Sequence, residues 1–327
     1  MPTTKELLDG IKSGDKRLLG KAITLIESKK SEHREQAEEL LKEILPFTGK
    51  SIRIGITGVP GAGKSTFIEN FGKVALEKGK RVAVLAIDPS STINKGSILG
   101  DKTRMEDLSK EVNAFIRPSP SSGFLGGVAN TTFETMLLCE AAGYDYILIE
   151  TVGVGQSETL VADITDVFLF LKIIGGGDEL QGIKRGIMEM VDLIFINKVE
   201  AENRSKAKNT RLELIRALQF LTPKEKGWKI PVLMGSALNN EGLHEVYSAI
   251  NEFIEVKIKS GRFLKVRQEQ AEKRFQYWVQ EYILKASTQN KDLETLFEEH
   301  KKNASGLKSN PSSEAKNFVQ KLLGPSI

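Results

Sequence analysis

The chain has 327 residues, of which 40% are hydrophobic and 28% charged. At roughly 100–200 residues per domain, that length allows one large or two modest domains, and the composition excludes wholesale disorder, a membrane-embedded chain and a disulfide-stapled mini-protein. Lys and Arg number 47 against 43 Asp and Glu, a formal charge of +4, too slight an excess to mark a polyanion-binding surface, so no nucleic acid partner is expected. Cys139 is the only cysteine, and His33, His244 and His300 lie far apart, which excludes a disulfide framework and argues against a soft-metal cluster. Met1–Glu6 leads into an acid-bearing helix and not into an apolar signal core or an Arg-rich transit segment, so a cytoplasmic protein without membrane contact is expected.

Residues 1–49 read as a helical arm, because Ala37, Leu40, Leu41, Ile44 and Leu45 recur at three- and four-residue steps until Pro46 and Gly49 stop the pattern. From Ser51 the period becomes two, with Ile52, Ile54 and Ile56 alternating. Apolar runs then recur at Arg81–Asp88, Val112–Ile116, Tyr144–Thr151, Val167–Ile173, Leu193–Asn197 and Ile230–Ser236, separated mostly by stretches of helical length. Short buried strands alternating with helices predict an α/β domain over 50–256, with a doubly wound, mostly parallel sheet covered on both faces. Residues 257–327 read as a C-terminal helical arm. Ala271, Phe275, Trp278, Val279, Tyr282 and Ile283 form an apolar stripe, a polar stretch follows from Ser287 to Ser313, and a last helix begins at a cap provided by Ser312 or Ser313. Such aromatic-rich helices must bury their stripe on the core or on another chain.

The sharpest motif is Gly58-Val59-Pro60-Gly61-Ala62-Gly63-Lys64-Ser65-Thr66, set between a strand and a helix. Its Gly-rich backbone would curl N–H groups around phosphate oxygens at the helix's positive end. Lys64 would bridge the outer phosphates, and the Ser65 hydroxyl would ligate Mg²⁺. Two strands end in acids, Asp88 and Glu150, and a carboxylate at the carboxyl end of a strand beside the phosphate loop points to the metal side of the site, the alternative being a capping or surface acid. Gly153 could offer its N–H to the terminal phosphate. Asn197-Lys198-Val199-Glu200 and Ser236-Ala237 follow two later strands. They look like guanine-reading elements, in which a carboxylate accepts from N1–H and the 2-amino group, the lysine stem covers the base and the alanine N–H meets the 6-oxygen. Glu200 stands where such elements carry Asp, which leaves base selectivity open, and a plain strand-ending turn is the competing reading.

With these elements in this order, the chain resembles the MeaB/ArgK family of P-loop GTPases. The resemblance rests on Gly58–Ser65, Leu85–Ser91, Gly96–Met105, Glu150–Glu158 and Gly177–Gly186, and is densest from Ile54 to Lys198. It implies a GTPase that binds GTP and GDP with Mg²⁺ and acts as chaperone of an adenosylcobalamin-dependent acyl-CoA mutase, typically methylmalonyl-CoA mutase. It also implies a homodimer formed through the C-terminal arm. By the same resemblance, Asp88, Asp101 and Glu150 surround the metal, and Asp178–Lys184 is a switch responsive to the partner; Lys184 and Arg185 are the candidate cations of that glycine-bounded segment, a solvated helix face being the alternative. Val154 stands where Ras-like GTPases place a water-orienting glutamine, so slow unaided hydrolysis and partner-supplied stimulation are expected. Two other classes compete. A nickel-inserting GTPase would carry Cys/His ligands that the sequence lacks, and a kinase or transport ATPase would require adenine preference, which Asn197-Lys198 disfavours.

Overall fold

The computed structural model describes residues 1–28, 30–88, 105–120, 125–151, 157–174, 185–221, 224–289, 291–306 and 309–323. The chain divides into two compact units, Met1–Val266 and Arg267–Ile327.

In the first unit, β1 (Ile52–Gly58), β2 (Val82–Asp88), β3 (Ala114–Pro120), β4 (Tyr146–Glu150), β5 (Val167–Ile173), β6 (Leu193–Asn197) and β7 (Val232–Met234) form one sheet in the order β3-β2-β4-β1-β5-β6-β7. Every pairing is parallel. The period of two sorts the side chains onto two faces. Ala83, Leu85, Ile147, Ile149, Ile194 and Ile196 enter one apolar core, whereas Val82, Val84, Tyr146, Leu148, Leu193 and Phe195 enter the other. Both faces are covered, so the strands read as near-continuous apolar runs, as expected of a parallel sheet. The final strand is shorter than the run Ile230–Ser236 suggested. Only Val232–Met234 pairs with β6, and the ladder closes at its two ends with the Ile194 N–H on the Pro231 carbonyl at 3.0 Å and the Gly235 N–H on the Ile196 carbonyl at 2.9 Å.

The chain starts in three helices, Thr4–Lys12, Lys16–Ile26 and Ser31–Ile44. The first opens on a capping box in which Thr3 and Glu6 satisfy each other's backbone N–H, and the Asp15 carboxylate caps the second by accepting from the N–H groups of Arg17 and Leu18. Their apolar sides, including Leu7, Ile11, Ile23 and Leu40, join the same core as β2 and β4, which places this helical arm within the first compact unit.

The long helix Arg262–Gln289 runs into the second unit, where Lys291–Ser305 and Pro311–Leu323 form a hairpin. The stretch from Ser287 to Ser313 reads as polar in the sequence, and most of it is helical. It forms the Lys291–Ser305 helix because Leu293, Leu296, Phe297 and Ala304 supply enough apolar surface at helical steps to pack on the last helix, with the Phe297 and Phe318 rings 5.3 Å apart and edge-on. The last helix is not capped by Ser312 or Ser313. Pro311 takes its first position, where a missing N–H costs nothing, and the Asn310 side chain accepts from the Ser312 N–H at 2.8 Å.

Candidate functional site

The site lies at the carboxyl ends of the central strands. From β1 the chain winds outward to β2 and β3 on one side and, after β4, to β5–β7 on the other, so β1 ends at the switch point where α/β sheets leave a crevice. Register sets the heights around it. Glu150 pairs with Ile56 of β1 and Ala86 of β2, Gly58 pairs with Leu171 of β5, and Asn197 pairs with Ile173 at the next level up.

The loop Gly58–Gly63 leads directly into the helix Lys64–Glu77. Gly63 adopts a left-handed conformation with φ +83°, and a Cβ there would stand 2.7 Å from the Asn197 amide nitrogen, so no residue but glycine fits. Ala62 is fully buried and its N–H donates to the Val59 carbonyl at 3.0 Å. Lys64 bends back over the loop, its ammonium donating to the Gly58 carbonyl at 2.7 Å and to that of Val59 at 3.4 Å. Burial pulls its pKa down, and the nearby carboxylates of Glu150 and Glu158 oppose the fall. The Ser65 hydroxyl lies 3.1 and 3.5 Å from the two Glu150 carboxylate oxygens. Thr66, the next residue of the helix, is half-buried.

The elements read as guanine-side close against this loop. Asn197, only 2% exposed, donates its amide to the Ala62 carbonyl at 2.8 Å and accepts from the Ala237 N–H at 2.9 Å. Both ends of its amide are therefore spent on backbone, and it acts as a bracket between the phosphate loop and the Ser236-Ala237 turn. Asn70 supports the turn from the other side, donating to the Ala237 carbonyl at 2.8 Å. Ser236 is buried and its hydroxyl accepts from the Asn239 N–H. Gly235 permits the tight fold-back, since a Cβ there would fall 2.1 Å from the Glu241 carbonyl oxygen. Lys198 is exposed and holds φ +60°, with its carbonyl accepting from the Asn203 amide at 2.9 Å. Glu200 is exposed, and its carboxylate accepts the Asn203 N–H at the start of the 3-10 turn Ala201–Asn203. In this state it is a cap.

Asp101, Gly153 and Lys184 lie outside the described residues, as does the segment Asp178–Lys184. The backbone of Asp88 ends β2, two positions beyond the level of Glu150. Sequence reasoning assigned no role to Asn70 or Glu158. Glu158 is 6% exposed in the short helix Ser157–Ala162 and stands within electrostatic reach of Lys64. Its signal was present, an acid eight residues after Glu150, but nothing local tells a buried acid from a solvated one.

Comparison with known proteins agrees with this architecture. The family profile described as "Methylmalonyl Co-A mutase-associated GTPase MeaB" matches residues 19–292. The chain belongs to the MeaB family. Among its relatives, a "Putative GTPase" of Caulobacter vibrioides is 57% identical over 249 residues, covering 76% of each chain. "GTPase ArgK" of Escherichia coli is 46% identical over 295 residues, 90% of this chain and 89% of that one. The "Methylmalonic aciduria type A homolog, mitochondrial" of Mus musculus is 47% identical over 288 residues, 85% of this chain and 69% of that one. A solved structure titled "LAO/AO transport system kinase" superposes with a TM-score of 0.77 at 36% identity, covering 98% of this chain and 97% of that one. This MeaB-family chain is a P-loop GTPase that binds guanine nucleotide. Among its described residues, no helix is long and apolar enough to cross a membrane.

Proposed function

We propose that the protein is a GTP-hydrolysing chaperone of an adenosylcobalamin-dependent acyl-CoA mutase, methylmalonyl-CoA mutase first among them, and that it gates cofactor loading and protects the mutase from inactivation. The observation that carries this reading is the match, over residues 19–292, to a family described by its association with that mutase. Within the site, Lys64 leaves the Gly58 and Val59 carbonyls for the outer phosphates of GTP, a charge-assisted exchange that the bent lysine is already poised to make. Ser65 and Glu150 offer a hydroxyl and a carboxylate side by side, oxygen donors of the kind Mg²⁺ takes, and would hold it with Asp88 and Asp101. The ion would supply positive charge beside the terminal phosphates. Lys198 and the Ala237 N–H lie on the guanine side, and Glu200 reaches the base by giving up its bond to Asn203. Gly153 would offer its N–H to the terminal phosphate, and Lys184 would supply the cation of the partner-responsive switch.

A homodimer is part of the same reading. Phe275 and Tyr282 are 71% and 45% exposed on the long helix, and a groove of about 470 Å³ opens among Ile283, Leu284, Phe297, Ala304, Phe318 and Leu322. Apolar surface of that extent calls for a partner. A cytoplasmic setting completes the proposal.

The test is single-turnover hydrolysis of GTP and of ATP by the purified protein, alone and with the mutase, alongside mutase inactivation during turnover. The expected result is slow basal GTP hydrolysis, acceleration by the mutase and a longer-lived mutase. Preference for ATP with transfer to an acceptor would favour the kinase reading, and indifference to the mutase would end the chaperone assignment.

A further inference from the structure

The net charge of +4 is not spread evenly along the chain. Between Lys198 and Lys229 there are nine Lys and Arg against four Glu, so one short segment carries more than the whole surplus and the rest of the chain is slightly acidic. Most of that segment is the helix Arg204–Leu218 and the turn after it. The helix buries Ala207 and Leu214 in the core and turns its opposite side outward. On that outward side Arg204, Lys208, Leu212, Arg216 and Phe220 follow at four-residue steps, a single ridge across the helix surface. All are exposed, Leu212 by 54% and Phe220 by 88%.

Arg216 stands in the last turn, where a cation suits the helix dipole, but nothing comparable favours the cations at the other end of the ridge. The first turn holds no acid, although carboxylates stabilise that end of a helix and cations oppose its dipole. Arg204 and Lys208 are like charges four residues apart, an unfavourable pairing on a helix surface. Arg204, Lys208 and Arg216 form no ion pair among the described residues. Other cations of the segment are engaged with the fold: Arg211 donates to the Val232 carbonyl at 2.8 Å, and Lys224 donates to the Met190 carbonyl. The Arg204–Lys208 end of the ridge therefore costs stability in the free protein, and an opposite charge from outside would return it.

We propose that the ridge Arg204–Lys208–Leu212–Arg216–Phe220 docks a carboxylate-rich surface of the partner mutase; naming the mutase rests on the function proposed above. The ridge has the anatomy of a protein contact, with an exposed aromatic and a leucine set among arginines, which are enriched at such interfaces. A lipid surface would need a broad apolar face, and this helix has its apolar stripe buried. A phosphate backbone would have no use for Phe220 or Leu212. The helix also begins at Asn203, whose side chain donates to the Lys198 carbonyl and accepts from the Glu200 N–H, so the docked partner would sit next to the guanine-side loop.

The test is surface plasmon resonance of the full-length protein on immobilised mutase across a salt series. It compares the wild type, R204Q/K208Q/R216Q, R204E/K208E/R216E and F220S, with GDP affinity and circular dichroism as controls. The charge variants should bind the mutase about tenfold or more weakly and with a flatter salt dependence. F220S should weaken binding while leaving the salt slope as in the wild type, and GDP affinity should hold in all. Folded variants that bind the mutase as the wild type does would overturn the docking surface and leave the mutase reading standing. A wild type that never binds the mutase would overturn both. Loss of binding to phosphatidylserine vesicles or duplex DNA with mutase binding intact would make the ridge a polyanion surface and overturn the proposal.

Discussion

Asn197→Ala is the substitution that most directly tests how the site is held together. The side chain occupies a buried position and satisfies two backbone groups, the Ala62 carbonyl at 2.8 Å and the Ala237 N–H at 2.9 Å, each on a residue no more than 1% exposed. A buried backbone group left without its partner costs about 1–3 kcal/mol, so truncation should cost about 2–6 kcal/mol if neither is rescued by water. The half-exposed loop beside Gly63 lets water reach the Ala62 side, which puts the expected loss in the lower half of that range, about 3 kcal/mol. Asn197→Asp sharpens the test. It keeps the acceptor for Ala237 but turns a carboxylate oxygen toward the Ala62 carbonyl, so it should do at least as much harm as Asn197→Ala. Gly63→Ala belongs to the same cycle, since its Cβ would stand 2.7 Å from the Asn197 amide nitrogen at φ +83°. In the Asn197→Ala background the clash disappears and only the left-handed backbone penalty of about 1–2 kcal/mol remains, making the pair strongly non-additive. Urea unfolding followed through Trp228, whose indole N–H donates to the Asp192 carbonyl at 2.9 Å, reads stability, and calorimetric titration with GDP reads the site. An Asn197→Ala protein within about 0.5 kcal/mol of wild type and with unchanged GDP affinity would refute the bracket.

Two further outcomes follow from buried titratable groups. Burial pushes the Glu134 carboxyl up from 4.5 to about 7, with Arg34 pulling it down and Glu38 pushing it up. The folded state therefore holds this proton more tightly than the unfolded chain, and stability is lost as pH rises from about 4.5 to about 7. Glu134→Gln should stabilise the protein increasingly across that window, by up to about 3 kcal/mol above it; a stability difference independent of pH in urea unfolding would refute the assignment. Cys139 is fully buried, and burial followed by the Glu140 charge raises its thiol pKa. It should resist iodoacetamide in the native protein and react only on unfolding, and native-state labelling at neutral pH, followed by mass spectrometry, would contradict that.

The phosphate loop, the alternation of β1 and the helical arms were legible because each depends on neighbours a few residues away: glycine spacing, a period of two, a period near 3.6. The acids at strand ends were legible for the same reason, since Glu150 ends an apolar run and the fold places that end at the crevice. The helix Lys291–Ser305 was missed because its few apolar residues become a stripe only when the last helix is there to receive it. Asn197 shows the limit most clearly. An amide after a strand can face a base or a backbone equally well, and only the approach of Ala62 and Ala237, 135 and 40 residues away in sequence, assigns its two ends. Glu200 is a second case, because its carboxylate acts as a cap once the 3-10 turn forms beneath it. The amino-acid sequence by itself determined which chemistry this chain carries, since glycines, a lysine and oxygen donors at fixed spacing are local facts. The tertiary structure alone decided the strand order around β1, which side chains are buried and which of two available partners each polar group takes, because those depend on contacts that exist only after distant segments meet.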